Sequence, residues 1–327
     1  MGTIIRGVEL AIEQLNRERD RRGVRFVMRR APDSLTGAVQ IATALRDDPS
    51  VIGVVGHPES GSTLDAAAIY ADDENGGRRA VVAISPTASS PGLSGRSEWI
   101  FRVCPTDLAA SAAVARFAID SLRTRRAAIL YRNDSYGKDW SRAFTAVYEA
   151  AGGTVVQRDP HLAGITEWDA FARYTAILAP DVVLFPGSAE DAELAIRALR
   201  RAGVGVPVIG GDAISSLDAR PDEFAGVRYT SFFRPSAVTS NEGRTFVSGY
   251  RAKYGESPDQ RAALSFDAAM IIGRAALAGR GDRRRVRDHV AAVTSARPYR
   301  GATGMIAFDT RNDVVGKPVA IVKVGRE

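Results

Sequence analysis

Short apolar runs alternate with longer stretches whose apolar residues recur every three or four positions, and the alternation continues along nearly the whole chain. Ile4, Val8, Ala11, Ile12 and Leu15 fall at helical spacing with charges on the other face, so the first element predicted is an amphipathic helix. Residues 24–28 predict a strand, and 36–46 a helix after the turn Pro32-Asp33-Ser34. VIGVVGHPESGS (51–62) and AVVAISPTASSPGL (80–93) then share one arrangement. Each starts as a short unbroken apolar run, the pattern of a parallel strand covered on both faces. Each breaks into a loop of small, hydroxyl-bearing residues, with a helix over 62–71 between them.

After a short extended piece at 99–103, Asp107 is expected to cap a helix reaching residue 122. A second series follows: strands at 127–131, 154–158, 181–185, 206–209 and 226–233, with helices at 136–151, 167–178 and 189–202 between the first four. Three helical segments without intervening strands come next (242–254, 261–278, 283–294), then strands at 305–308 and 318–324.

Two βαβ series predict an α/β fold of two doubly wound parallel-sheet lobes. The three late helices find no open layer in the second lobe and are assigned to the first. That gives lobe 1 as residues 1–106 plus 236–315 and lobe 2 as 107–235 plus 316–327. The chain would cross between lobes near 104–107, 234–236 and 312–316, a three-strand hinge around a cleft built to close on a ligand.

In open α/β sheets ligands sit beyond the carboxyl ends of the strands. There the first lobe places Ser60, Thr87 and Ser89, beside the positive end of the helix starting near Ser62. These groups suit a small anion, most simply a carboxylate. The second lobe places Tyr136, Ser188 and Asp212 at the same kind of edge, where an acid would meet a ligand ammonium. Taken alone, Asp212 reads equally as the cap of the segment from Ala213, and Tyr136 as a packed helix residue.

Composition narrows the field. The 327 residues carry 44 Lys and Arg against 38 Asp and Glu, a formal charge of +6. Much of the excess lies in two runs, Arg17, Arg19, Arg21 and Arg22, and Arg283, Arg284, Arg285 and Arg287. Neither run is interleaved with aromatics, so they are read as solvated helix faces and no nucleic-acid partner is expected. The acid pairs Asp47-Asp48 and Asp72-Asp73 stand in polar turns and are read as surface. Cys104 is the only cysteine, which excludes an intrachain disulfide and predicts a buried, inert thiol. No stretch reads as a membrane span. His57, His161 and His289 have no second ligand nearby in sequence, so neither metal nor cofactor is expected. Hydrolase, zinc-protease, P-loop and dinucleotide signatures are missing, and nothing requires an enzyme.

The chain resembles the Leu/Ile/Val-binding family of bacterial solute-binding proteins, with the type I periplasmic-binding-protein fold. The likeness rests on RGVELAIEQLN, VVGHPESGST, ISPTASSPGL, FRVCPTD, YRNDSYGKDW, AGGTVV, PDVVLFPGS, VPVIGGD, YRAKYGESPD, ALSFDAAM and GMIAFDTRNDVVGKP, in that order. The resemblance implies that Ser60 meets a ligand carboxylate, with the Thr87, Ala88, Ser89 loop adding backbone and hydroxyl contacts. It implies that Tyr136 approaches from the second lobe, that Asp212 receives an α-ammonium, and that Ser188 and Phe266 border the side-chain pocket. Ser188 stands where an aromatic is common, which would enlarge or wet that pocket. The partners implied are an amino acid or related small carboxylate and an ABC permease in the membrane, with the protein a monomer at the periplasmic or extracellular side. A sensory ligand-binding module of the same fold is the alternative. The family's first strand and Gly-rich loop, and a signal peptide, are not found ahead of the opening helix, as expected of a late gene start or an excised domain. Arg29 and Arg30 stand where an acidic pair is usual.

Overall fold

The amphipathic opening folds as α1 (Gly2–Arg17), which buries Ile4, Leu10, Ala11 and Leu15. The computed structural model describes residues 2–18, 23–31 and 34–325. Arg19, Arg21 and Arg22 of the first basic run, and Pro32-Asp33 of the predicted turn, lie outside the described residues. The chain divides into two units, Met1–Pro105 with Phe232–Pro318, and Thr106–Ser231 with Val319–Glu327, so it passes from one to the other three times.

Unit 1 continues with α2 (Ala38–Asp47), β1 (Val54–Val55), α3 (Ser60–Ala71), β2 (Ala83–Ser85) and β3 (Ile100–Arg102). The three strands form one parallel sheet in the order β1-β2-β3. Unit 2 begins with α4 (Asp107–Asp120), β4 (Arg126–Arg132), α5 (Ser135–Ala150), β5 (Thr154–His161) and α6 (Asp169–Leu178). It goes on through β6 (Val182–Phe185), α7 (Ala189–Arg201), β7 (Val208–Gly210) and β8 (Arg228–Ser231). The chain then supplies unit 1 with α8 (Asn241–Tyr254), α9 (Gln260–Gly279), α10 (Arg283–Ala291) and the hairpin β9 (Tyr299–Gly301) and β10 (Gly304–Ile306). Finally β11 (Ala320–Lys323) joins the unit 2 sheet, whose order is β11-β8-β7-β6-β4-β5.

In unit 1 the central helix is α9, which packs against α1, α10 and the sheet. By length and composition α9 could cross a membrane, contrary to expectation, but most of it is buried within the unit. Helix α1 lies close against it because Gly7 carries no side chain: a Cβ there would come 2.2 Å from the Ala262 carbonyl oxygen. The unit 2 core is built from the apolar strands themselves, Ala128, Leu130, Val183 and Phe185 among them, against Ile196, Leu199 and Phe224.

Several expectations are corrected. Residues 24–28 carry no regular secondary structure and belong to no ladder among the described residues, because an apolar run does not by itself provide a neighbouring strand. Phe26 is held instead by the Asn16 side chain, which accepts from its N–H at 2.8 Å and donates to its carbonyl at 3.0 Å. Strand β9 escaped prediction because Tyr-Arg-Gly carries no apolar run; it pairs antiparallel with β10. The unit 2 sheet is not wholly parallel, since β11 runs antiparallel to β8. The cap of α4 is Thr106, whose hydroxyl accepts from the Ala109 N–H at 3.2 Å, not Asp107.

Two charged groups read as solvated are structural. Arg283 donates to the carbonyls of Val51, Arg46, Arg79 and Asp48 at 2.5–2.8 Å, tying the end of α2 to the approaches of β1 and β2. Asp72 is buried and closes the loop after α3 by accepting from the Arg79 N–H and the Asn75 amide.

Candidate functional site

In unit 1 the loops after β1 and β2 are stitched to each other. Helix α3 starts at Ser60, two residues before its expected start, so this hydroxyl stands in the first turn of a helix. Ser60 Oγ accepts from the Ser90 N–H at 3.1 Å and keeps its own hydrogen for another acceptor. Thr87 Oγ1 donates to the Pro58 carbonyl at 2.6 Å, so its hydrogen is committed and its oxygen can only accept. Ser85 Oγ donates to the His57 carbonyl at 2.6 Å and accepts from the Ala88 N–H at 3.0 Å. The Ala88 carbonyl receives the Cys104 thiol at 3.4 Å and one Arg102 N–H at 3.4 Å. Both Ala88 backbone groups are therefore engaged inside the loop. Ser89 differs: its hydroxyl makes no hydrogen bond among the described residues.

His57 faces inward. Its Nε2 lies 3.0 Å from the Tyr70 hydroxyl, and burial pulls its pKa below the usual histidine value. This is a packed core histidine. Phe266 stands on α9 in an aromatic cluster, 4.8 Å from Phe246 between ring centres, and is almost fully buried. Ser60, Thr87, Ala88 and Ser89 thus come together in one loop pair, while Phe266 belongs to the core of the same unit.

In unit 2 the sheet reverses direction of growth at β4, with β5 on one side and β6 on the other, and the strand ends beside such a point are where a crevice opens. Asp134 caps α5 by accepting from the Gly137 N–H at 2.9 Å, which sets Tyr136 in the first turn of the helix. The Tyr136 hydroxyl reaches across to the end of β7 and lies over Gly211. Its oxygen is buried and has no hydrogen-bond partner among the described residues. Burial raises its pKa well above the usual tyrosine value, and the Asp212 and Asp107 carboxylates raise it further. At working pH the hydroxyl is therefore neutral.

Asp212 is buried and opens the 3-10 helix over Asp212–Ala219, whose cap is Gly211, so the capping role offered for Asp212 is taken by its neighbour. Ser188 does cap a helix: its hydroxyl accepts from the Asp191 N–H at 3.2 Å and donates to the Asp191 carboxylate at 2.9 Å. Tyr136 and Asp212 are brought together; the Ser188 hydroxyl is spent on α7. Asp107, which acts electrostatically on the Tyr136 hydroxyl, was expected only as a helix cap. Its position directly after Pro-Thr made it look like a cap, although Thr106 is equally able to cap.

Among the described residues no group of three or more His, Cys, Asp or Glu could hold a metal ion.

The family model described as "Periplasmic binding protein" matches residues 2–327. The chain is 24% identical over 326 residues to the "Leu/Ile/Val-binding protein homolog 3" of Brucella melitensis, covering 97% of this chain and 85% of that protein. Among solved structures it is similar to the ABC transporter substrate-binding protein of Desulfitobacterium hafniense in complex with Leu, at 25% identity and a TM-score of 0.84, covering 99% and 94% of the two chains. It is equally similar in fold, at a TM-score of 0.84 but 19% identity, to a solute-binding protein of R. palustris in complex with benzoate, covering 99% and 88%.

Proposed function

The chain belongs to the periplasmic binding protein family, and from that premise we propose that its solute is an L-amino acid delivered to an ABC importer. The observation that carries the choice of ligand is the buried Asp212 carboxylate beside the neutral Tyr136 hydroxyl. A ligand ammonium would meet that carboxylate as a charge-assisted hydrogen bond. Unit 1 supplies the complement. Ser60, in the first turn of α3, has a hydrogen left to donate, the Ser89 hydroxyl makes no hydrogen bond among the described residues, and the helix end favours negative charge. A carboxylate and an ammonium are the two ends of one amino acid. The three chain connections serve as the hinge, the protein works outside the cytoplasm, and its further partner is the membrane permease. The Leu-bound relative supports this reading, and the benzoate-bound one shows that the fold also serves solutes without an amine.

Isothermal titration calorimetry of the chain with L-amino acids and with aromatic acids tests the proposal. Binding of an L-amino acid, lost by about 1–3 kcal/mol in Asp212→Ala, is the expected result. Binding confined to acids without an amine would remove the role given to Asp212.

A further inference from the structure

At the amino edge of the unit 2 sheet, the edge opposite Tyr136 and Asp212, a cavity of about 270 Å³ lies between the end of α7 and the approaches to β7 and β8. Ile196, Leu199, Val204 and Val227 give it an apolar floor, and all four are buried. Its charged lining is Arg200, Arg228 and Lys323; among the described residues no Asp or Glu lines it. An apolar cavity with a few convergent polar groups is the usual form of a small-molecule site.

The three cations differ in what holds them. Arg200 stands in the last turn of α7, where a cation meets the negative helix end, and it donates to the Glu223 and Ala225 carbonyls. Packing within the unit accounts for it. Arg228 is half-buried and gives one N–H to the Gly226 carbonyl at 3.0 Å, with its guanidinium 5.9 Å from the centre of the Phe117 ring. No carboxylate pairs with it among the described residues, and burial draws its pKa below the ordinary arginine value. Lys323 is its direct partner across the antiparallel β8–β11 ladder. Directly opposed residues of such a pair share a face, with Cβ atoms about 5 Å apart, and like charges there are destabilising. The Lys323 side chain is exposed and makes no hydrogen bond or ion pair among the described residues. Glu223, whose carbonyl meets Arg200, has its carboxylate on Arg197 and Arg220. Two cations thus stand side by side over an apolar floor, with no acid between them.

We propose that this cavity is a second binding site, which takes a small organic monoanion: a carboxylate on a short apolar chain, with its oxygens between Arg228 and Lys323 and its chain on the Val204 and Val227 floor. One negative charge between the two cations removes their repulsion, and the guanidinium fork suits a carboxylate. The volume is just below the ~300 Å³ at which drug-sized pockets begin, so the chain is short. The site shares no residue with the solute site and does not depend on the amino-acid reading.

Calorimetric titration of the full chain with hexanoate, 1-hexanol and inorganic phosphate tests the proposal. Wild type is expected to bind hexanoate at least about 10-fold more tightly than either of the others. Arg228→Gln is expected to weaken hexanoate about 10- to 100-fold and Lys323→Gln about 10-fold, while Ser60→Ala leaves it within about twofold. Lys323 is exposed, so Lys323→Gln keeps the test open should Arg228→Gln fail to fold. Hexanoate weakened by Ser60→Ala and by neither cation variant overturns the site, because the acid then binds with the solute. Equal affinity for hexanol would reveal an apolar cavity that ignores charge, and equal affinity for phosphate a charged patch that ignores the chain; either overturns the proposal. Absence of hexanoate binding overturns it too, also where the protein binds anionic phospholipid vesicles instead. None of these outcomes touches the role given to Asp212.

Discussion

A Cβ placed on Gly211 would come 1.9 Å from the Tyr136 hydroxyl oxygen, closer than any two such atoms can stand. Gly211 has φ −76°, which any residue can adopt, so the glycine is required by space and not by backbone conformation. Trp140 also lies 3.4 Å from the same point, so the added methyl would meet two aromatic side chains. Gly211→Ala should therefore displace Tyr136 from Asp212. The expected cost is about 1–3 kcal/mol of stability, the usual range for overpacking, together with loss of amino-acid binding. Denaturant unfolding and calorimetry on the same variant check it; unchanged affinity would mean that Tyr136 does not touch the solute.

Ser60 and Ser89 stand in the same loop pair but should fail differently. Ser60 Oγ is the acceptor for the buried Ser90 N–H, so Ser60→Ala leaves a donor unsatisfied at about 1–3 kcal/mol. The Ser89 hydroxyl makes no hydrogen bond among the described residues, so Ser89→Ala should change stability by less than about 0.5 kcal/mol while lowering solute affinity. Melting curves without solute separate the two variants, and titrations with the amino acid should show both weakened. A stability loss in Ser89→Ala as large as that in Ser60→Ala would show that its hydroxyl is structural.

What could be read from sequence was whatever depends on local pattern. Runs such as Val182–Phe185 and the helix over Ala189–Arg201 identify themselves by period and by flanking turn residues, and so did the positions of Ser60, Tyr136 and Asp212 at strand ends. What could not be read depends on partners distant in the chain. Residues 24–28 look like a strand, but a strand needs a ladder neighbour that no local pattern reports. Thr87 and Ser60 look alike as loop hydroxyls, and only the fold shows that one has spent its hydrogen on Pro58 and the other has not. Asp107 and Thr106 are both good caps, and only the fold shows that Thr106 takes the role.

The basic run from Arg283 offers a comparison between near neighbours. Arg283 donates to four backbone carbonyls of unit 1, whereas Arg285 is exposed and its side chain makes no hydrogen bond among the described residues, its backbone N–H donating to the capping Asp282. Arg283→Ala should cost about 2–3 kcal/mol, because several carbonyls lose a charged donor at once. Arg285→Ala should stay within about 0.5 kcal/mol. Equal effects in chemical denaturation would sink the view that Arg283 clamps α2 to the sheet, and would return the whole run to the solvated surface.

Lys317 gives a pH dependence with a definite sign. Burial lowers its pKa from 10.5 to about 8, and the nearby Asp267 and Cys104 offset that only in part. Asp267 is itself engaged by the N–H groups of Ala302 and Thr303, at 2.6 Å and 2.9 Å. Below about pH 8 the lysine is protonated in folded and unfolded chains alike, and the folded state bears the full cost of the buried charge. Between about 8 and 10.5 the folded chain releases the proton while the unfolded chain keeps it, so stability rises with pH through this window. The gap corresponds to about 3 kcal/mol, most of it recovered by about pH 10. Lys317→Met removes the titrating group. The stability of wild type relative to Lys317→Met should therefore climb by about 2–3 kcal/mol between pH 7 and pH 10 in denaturant unfolding. Parallel profiles for the two proteins would show that Lys317 reaches solvent and keeps its ordinary pKa.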